Sequence, residues 1–225
     1  MVISSQAPQH DPGLVAEVTS QPTDVKSIDG RTARALRTRQ AIVDATLALV
    51  EEGDIRPTAP RIAERAGVSV RSIFQHFDDL ESLFYDLAER TMERVSALRS
   101  HIDPSAPLPD RLRKYLDQRC AINEAVTPIN RAAVVYASTS PTIRHRFEDG
   151  HEIVSGRLAE VFARELETVG DRRADLRDAL LIAGSWATWN LLRSLERRSI
   201  AEATSTVEVQ FHLALRGLGI DPGSP

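Results

Sequence analysis

The sequence predicts an all-α protein of about nine helices, and two observations support this fold class. Apolar residues recur at helical spacing from Thr32 onward, and no segment alternates apolar and polar residues with the two-residue period of a strand. Aromatic residues make up only 5% of the chain, and glycine and proline contribute only 11 and 12 of its 225 residues, which disfavours a turn-rich β-sandwich. A chain of this length forms one or two domains.

Helix periodicity and helix-breaking residues then place each element in order. Residues 1–30 are expected to be a disordered arm, because they are rich in proline and polar residues and lack apolar periodicity. Gly53 ends the first predicted helix and Gly67 the second, Pro128 separates the fifth from the sixth, and Gly150 marks a candidate bend. The predicted helices are 38–51, 58–65, 70–76, 80–100, 110–126, 129–139, 142–169, 171–198 and 200–217.

Composition and patterning also exclude several protein classes. The 42% apolar and 27% charged residues exclude a disordered, collagen-like or disulfide-scaffold protein. A single cysteine, Cys120, excludes an internal disulfide and a multi-cysteine zinc site, and it suits a reducing cytosol. Residues 1–30 lack the apolar run of a signal peptide, and the charge-free stretch 179–192 is shorter than the ~20 residues of a spanning helix. We therefore expect a cytoplasmic protein without a membrane partner.

Two short predicted helices meet at the tripeptide Gly-Val-Ser, 67–69, and form a helix-turn-helix. Thr58 and Ser69 are expected N-caps, whose hydroxyls accept hydrogen bonds from first-turn amides. Ala63 and Ala66 are small enough for the helices to approach closely, and glycine permits the positive φ that the turn requires. Four apolar side chains are expected to point inward and fix the angle between the helices, namely Ile62, Val68, Ile73 and Phe77.

The outward side of the second short helix carries residue types that can read DNA bases. Arginine bridges O6 and N7 of guanine, glutamine bridges N6 and N7 of adenine, and an aliphatic group contacts the methyl group of thymine. The outward residues are Val70, Arg71, Ser72 and Gln75.

The pattern Thr58-x3-Ile-Ala-Glu-Arg-Ala-Gly-Val-Ser-x3-Ile-Phe-x-His-Phe77, with the helix that precedes it, resembles the tetracycline-repressor (TetR) family of transcriptional regulators. The resemblance implies a DNA-binding domain over 35–95, with its helix-turn-helix at about 58–77, and a ligand-binding and dimerisation domain over 96–225. It further implies a ligand-responsive repressor, not an enzyme, that needs no cofactor or metal. Such a repressor binds a near-palindromic double-stranded DNA operator as a homodimer.

The resemblance also assigns residues to the DNA backbone. Phosphate contacts, which hold register rather than read sequence, are expected from Thr58, Arg61, Ser69 and His76, and Phe74 is also counted among the DNA-binding residues. The arginines at 31, 34, 37 and 39 are expected to form a flexible arm that follows the DNA backbone or enters the minor groove, and Arg39 is counted as DNA-binding on this ground. Two positions depart from the family pattern, since Phe74 stands where tyrosine is usual and Leu80 where lysine is usual. Each lost ionic contact is expected to flatten the salt dependence of binding by about one unit.

The charge distribution agrees with a DNA partner although the net charge is −4. Residues 31–77 hold eight arginines against five carboxylates, a local excess of +3, while both flanks are acidic. Because local charge steers a ligand, DNA binding is expected to be confined to this block.

The helices at 171–198 and 200–217 are expected to pair with their copies in a homodimer. The first carries apolar residues around most of its circumference, so it is buried on more than one side. The second contributes a stripe made of Ile200, Thr204, Val207, Phe211, Leu215 and Leu218. In the alternative, both helices only close the core of a monomer.

A small-molecule effector is expected in the larger domain, where several side chains combine apolar area with a polar group. The candidates are Arg119, Tyr136, Phe147, Trp186, Trp189 and Asn190. For each tryptophan a place in the core or interface is the competing interpretation, for Arg119 a salt-bridged surface position, and Cys120 is interpreted as a small buried hydrophobe.

Two other functions compete with the regulator. A helical metal site could be drawn through the polar run 145–152, but its two i,i+4 pairs do not share a face, and a solvated charged surface is the preferred interpretation. The chain contains no Gly-rich phosphate loop, nucleophile elbow or HExxH motif. The other alternative is a helical ligand-binding protein whose helix-turn-helix no longer contacts DNA.

Overall fold

The computed structural model describes residues 25–138 and 140–223. These residues form ten α-helices and no strand, so the predicted all-α class is confirmed. A 3-10 turn at Gly170–Arg172 precedes α8, and a π-helical turn at Leu191–Leu195 follows α9. Helices α1 to α10 span Val25–Glu51, Ala59–Ala66, Val70–His76, Leu80–Ser96, Leu108–Ala137, Pro141–Val161, Ala163–Thr168, Arg173–Ala183, Trp186–Asn190 and Ile200–Arg216.

The first helix begins well before the predicted position. The predicted disordered arm, 1–30, lies outside the described residues as far as residue 24, and residues 25–30 already belong to α1. The prediction that the arginines at 31, 34, 37 and 39 form a flexible arm is therefore wrong, because all four lie on this helix. Alanine, leucine and arginine are strong helix formers, so this segment extends the helix that the apolar core supports further along.

A single helix, α5, replaces the two that were predicted on either side of Pro128. Proline has no amide hydrogen and removes one helical hydrogen bond, but this loss is offset by packing on both sides of it. Ile122 precedes the proline and Ile129 follows it directly, and both side chains are buried. The helix α6 continues through Gly150 and ends before Phe162, which is fully buried.

The predicted helix over 171–198 is broken at Gly184–Ser185. Ser185 is extended and caps α9, since its Oγ accepts a hydrogen bond from the amide of Thr188 at 3.1 Å. The carbonyl of Gly184 accepts from two α5 side chains, Arg119 Nε at 2.9 Å and Asn123 Nδ2 at 3.2 Å. A Cβ at Gly184 would lie 3.3 Å from the Phe211 ring, so glycine lets the break pack closely against α10.

Two apolar cores hold the helices together, and α5 belongs to both. The N-terminal core joins α1 to α4 through residues such as Ile42, Ile62 and Leu83, and it includes Ile129 and Ala132 from α5. The C-terminal core joins the earlier part of α5 to α6, α7, α8, α9 and α10. The described helices include none that is long and apolar enough to span a bilayer.

A buried ion pair fixes α5 to α7 inside the C-terminal core. Arg111 donates to both carboxylate oxygens of Glu165, at 2.9 and 2.6 Å, and also to the carbonyls of Ala106 and Val161. The Arg111 side chain is only 2% exposed. Bidentate geometry and the two carbonyls satisfy this guanidinium, as a buried charge requires.

Candidate DNA-binding surface and effector cavity

The turn between α2 and α3 has the geometry that its sequence predicts. Gly67 adopts φ 66° and ψ 33°, the left-handed conformation, and its amide donates to the carbonyls of Ala63 and Glu64. Ser69 caps α3, because its Oγ accepts from the amide of Ser72 at 3.1 Å. Thr58 occupies the N-cap position of α2 without forming the side-chain cap hydrogen bond, so its exposed hydroxyl is left for another partner.

Helix α3 has one buried and one exposed side. Ile73 and, just beyond the helix, Phe77 are buried with Ile62 in the N-terminal core. The opposite side, which we call the exposed face of α3, consists of Val70, Arg71, Phe74 and Gln75. The Phe74 side chain is 53% exposed, whereas most phenylalanine side chains in folded proteins are buried. Ser72 and His76 are partly buried beside this face.

Arg39 lies on α1 but makes its contacts around the end of α3. Its Nε lies 2.7 Å from Asp86 Oδ2 of α4, and its Nη1 donates to the carbonyl of His76. The guanidinium also covers the ring of Phe77, 4.2 Å from the ring centre. Arg39 therefore links α1, α3 and α4 through two hydrogen bonds and one cation–π contact within the protein.

Most carboxylates near the helix-turn-helix are neutralised by ion pairs. Asp54 pairs with Arg61 at 2.5 Å, and Glu52 pairs with Arg65 in an exposed contact that holds the pKa of Glu52 below its ordinary value. Asp44 and Glu51 pair with arginines of α4. Within the described ranges, no carboxylate pairs with the arginines at 31, 34, 37 or 71, so the unbalanced positive charge lies on α1 and α3.

A cavity of about 290 Å³ lies between α4, α5 and α6 and reaches the break between α8 and α9. Its lining is mainly apolar, from Phe84, Ala88 and Met92 on α4 and Ile122 and Val126 on α5. Because α4 directly follows α3 and shares the N-terminal core with it, a molecule in this cavity contacts the helix next to α3 along the chain.

Three of the six predicted effector residues line the cavity, and three do not. Arg119, Phe147 and Trp186 are part of the lining. Trp189 is fully buried in the C-terminal core. The Asn190 side chain accepts from Arg131 Nε at 2.9 Å, and Tyr136 packs against Phe84 in the N-terminal core. These three positions serve packing and helix attachment.

Sequence reasoning missed the contribution of α4 to the cavity. The helix carries two apolar stripes, of which Leu83 and Leu87 enter the N-terminal core. The other, Phe84, Ala88 and Met92, faces the cavity. The four-residue spacing of the second stripe was the available signal, because a helix apolar on two sides packs against two surroundings.

Trp189 anchors α9 to α5 through a carboxylate rather than through a ligand. Its Nε1 donates to Glu124 Oε2 at 2.8 Å, and Arg193 donates to both oxygens of the same carboxylate at 3.0 and 2.9 Å. The hydrogen bond from Arg193 is the main cause that lowers the pKa of Glu124. These contacts fix the segment after the helix break on α5.

The polar run 145–152 lies on α6, where part of it lines the cavity and its histidines are exposed. His145 contacts Glu148 one turn away at 2.8 Å, and both side chains are exposed. Over the ranges that the structure covers, no three His, Cys, Asp or Glu side chains are gathered closely enough to hold a metal ion.

Comparison with known proteins supports the assignment that this geometry suggests. Residues 42–87 match the family model described as "Bacterial regulatory proteins, tetR family". The chain is 26% identical over 182 residues to the HTH-type transcriptional repressor KstR of Rhodococcus jostii, covering 79% of this chain and 82% of that protein. It is 27% identical over 188 residues to KstR of Mycolicibacterium smegmatis, covering 79% and 85%.

A solved structure shows the same fold. A transcriptional regulator from Rhodococcus sp. Rha1 superimposes with a TM-score of 0.62 at 18% sequence identity, over 85% of this chain and 99% of that one. The helix-turn-helix with its exposed α3, the matched family model and these relatives define a DNA-binding transcriptional regulator. The chain is thus similar to regulators of the TetR family, most clearly over the helix-turn-helix region matched at residues 42–87.

Proposed function

We propose that this regulator is a cytoplasmic, effector-responsive repressor that binds a near-palindromic operator as a homodimer. The exposed face of α3 is the observation that carries the proposal. It presents an arginine, a glutamine and an aliphatic side chain on a helix whose opposite side is anchored in the core, which is the arrangement that major-groove reading requires. The repressor names of the two KstR relatives support the direction of regulation.

We assign the base contacts to Val70, Arg71 and Gln75. Thr58, Arg61, Ser69 and His76 surround them and are assigned to phosphates, which position the helix without reading sequence. Ser72, partly buried, stays a candidate base contact, and Phe74 contributes apolar contact only, because it has no hydroxyl. Arg39 is assigned a structural role instead, since its guanidinium is bound to Asp86 and His76.

The homodimer is supported by apolar surface on the C-terminal helices. The three most exposed large apolar side chains among the described residues are Leu195 at 74%, Ile182 at 67% and Leu213 at 65%. All three lie on α8, the π-helical turn and α10, which pack together. Exposed apolar surface of this kind marks an interaction site, and two half-sites on DNA require two copies.

The interface residues differ from those predicted. Val207, Phe211 and Leu215 of the predicted α10 stripe are buried in the protomer's own core, so their assignment to the interface is wrong. Both sides of α10 are apolar, and packing on α5 and α8 selects one of them for the core. We infer that the other side, with Val209 and Leu213, is available for the partner.

The DNA-binding assignment is tested by footprinting on fragments from around the protein's own gene at low salt. We expect a protected near-palindrome. The Arg71→Ala variant is expected to lose preference at one base pair of each half-site, at a cost of about 1–3 kcal/mol. Arg113→Ala, which removes an exposed arginine of α5 far from α3, is the matched control. Absence of any protected fragment would overturn the repressor, and uniform weakening on all sequences would move Arg71 to a phosphate.

The dimer is tested by sedimentation of Leu213→Arg and of the matched control Val134→Arg. Val134 is also half exposed, but it lies on α5, outside the proposed interface. We expect the first variant to sediment as a monomer and to lose operator binding, while the second remains dimeric. A dimer that persists in Leu213→Arg contradicts the assignment of α10 to the interface.

A further inference from the structure

Arg119 is a partly buried arginine in the lining of the cavity, and the described residues supply no counter-ion for it. It projects from α5 into the lining of the 290 Å³ cavity and of a second, adjoining cavity of about 350 Å³. The two cavities also share Arg99 and Ile122. Burial lowers the pKa of Arg119 below its ordinary value, because desolvation disfavours the charged form.

The contacts of Arg119 leave much of its donor capacity unused. Its Nε donates to the carbonyl of Gly184 at 2.9 Å, and its Nη2 donates to Asn123 Oδ1 at 2.5 Å. A guanidinium carries five N–H groups, so these two neutral acceptors leave three donors without a partner among the described residues. Within the described part of the chain, no carboxylate lies at ion-pair distance from Arg119.

The other charged groups around the cavities have partners or lie at the rim. Glu81 accepts from the hydroxyl of Ser140 at 2.7 Å, and Arg146 pairs with Glu89. Arg157 pairs with Glu160 at 2.9 Å. Asp149, His151 and Glu152 of α6 are exposed. Arg119 therefore differs from Arg111, a buried arginine of the same helix whose charge is fully matched by Glu165.

We propose that the effector is an amphipathic carboxylate whose apolar part fills the cavity between α4, α5 and α6 and whose carboxyl group binds Arg119. This inference rests on the proposed function and names the chemical class of its effector. The apolar lining supplies affinity for a hydrocarbon body, and a partly buried guanidinium with free donors selects a planar anion over a neutral or cationic head group. Arg99, which lines both cavities, adds a second positive charge near the same end.

The same contacts connect the effector to the rest of the protein. Arg119 holds the carbonyl of Gly184 at the break between α8 and α9, next to the surface assigned to the dimer. A carboxylate bound to the free donors of Arg119 lies beside the hydrogen bond that orders this break. The apolar body of the effector meanwhile contacts α4, which shares the N-terminal core with α3. Binding therefore acts on both regions whose geometry sets the separation of the two α3 helices.

The test is calorimetric titration of the full chain with decanoate, decanol and decylammonium, which share a hydrocarbon body and differ in head group. We expect decanoate to bind at least about tenfold more tightly than decanol, since hydrogen bonds to a charged group add about 1.5–3 kcal/mol. Decylammonium is expected to bind most weakly. Equal affinity for decanoate and decanol, or no binding of decanoate, overturns the proposal.

Variants at Arg119 locate the anion. Arg119→Met is expected to reduce decanoate affinity to that of decanol while decanol affinity stays the same, and Arg119→Lys is expected to retain part of the preference. Arg113→Met, which removes an exposed arginine of the same helix, is expected to change neither. A preference for decanoate that survives in Arg119→Met overturns the assignment. If that variant does not fold, Arg119→Lys and the wild-type selectivity decide.

Failure of this inference is distinguishable from failure of the proposed function. Footprinting is repeated with increasing decanoate, with decanol as the control. Decanoate-selective release of the operator supports both. Operator binding without selective decanoate binding refutes the carboxylate alone, whereas selective decanoate binding without any operator refutes the repressor and retains the carboxylate site.

Discussion

Replacing Arg39 tests whether this side chain contacts other parts of the protein or the DNA, because the two roles affect thermal stability and salt-dependent operator binding differently. The structure places its guanidinium between Asp86, the His76 carbonyl and the Phe77 ring. The Arg39→Met variant keeps most of the aliphatic side chain and removes all three interactions. We expect a less stable protein whose α3 is held less firmly, with DNA affinity reduced for that reason.

The expected loss of stability in Arg39→Met follows from how exposed the interacting side chains are. The Arg39 and Asp86 side chains are 38% and 26% exposed, so solvent screens their ion pair to about 0.2–1 kcal/mol. The half-exposed cation–π contact adds about 0.5–1 kcal/mol, and the hydrogen bond to His76 about 0.5–1.5 kcal/mol. Together these contributions predict a loss of about 1–3.5 kcal/mol. For a chain of this size that corresponds to a decrease in Tm of about 2–14 °C.

The assay combines thermal unfolding with the salt dependence of operator binding. A phosphate contact contributes about 0.9 to the slope of log K against log salt concentration, whereas a contact within the protein contributes nothing. We expect Arg39→Met to lower Tm and to leave the slope unchanged. Asp86→Asn, which breaks the same ion pair without removing a cation, is expected to reproduce part of the loss of stability.

Two results refute this reasoning. A slope that decreases by about one unit in Arg39→Met, with Tm unchanged, places Arg39 on a phosphate. Additive effects of Arg39→Met and Asp86→Asn in a double-mutant cycle show that the two side chains do not interact in solution.

Three further predictions concern other parts of the chain. Gly67→Ala is expected to cost about 1–2 kcal/mol in urea unfolding and to weaken operator binding, because φ is 66° although no atom obstructs a Cβ; an unchanged midpoint contradicts this. Arg111→Met is expected to cost about 3–5 kcal/mol in the same assay, because it leaves the Glu165 charge buried, and adding Glu165→Leu is expected to restore most of it. Burial raises the pKa of Cys120 to about 11, so its thiol stays protonated from pH 7 to 9, and iodoacetamide is expected to label it about a hundredfold more slowly than a free cysteine; labelling at the free rate refutes this.

The helix-turn-helix was predictable from the sequence because its determinants are local. The left-handed Gly67, the Ser69 cap and the burial of Ile62 and Ile73 depend on neighbours within a few residues. The partners of Arg39 were not predictable, since Asp86 lies 47 residues further along the chain. A residue's spacing on a helix indicates which side it occupies but not which distant group approaches that side.

Errors in the larger domain have the same origin. The local preference of Pro128 favours a helix break there, whereas the apolar periodicity over 171–198 favours one continuous helix through Gly184. The structure shows the reverse, because packing on both sides carries α5 through Pro128, and Arg119 and Asn123 of α5 bind the carbonyl of Gly184. The cavity could not be predicted as a whole, since it is assembled from helices that are far apart in sequence.

The contribution of α5 to both apolar cores has a consequence for exchanging modules between regulators. A chimera joined in the segment between α4 and α5, where the chain suggests a boundary, separates Leu83 and Leu87 from the native Ile129 and Ala132 that pack with them. The transplanted DNA-binding domain would then pack against an α5 helix from the other regulator. Functional hybrids are expected to carry the second half of α5 along with α1 to α4. The segments that must be exchanged together to change operator preference are therefore not contiguous in the gene.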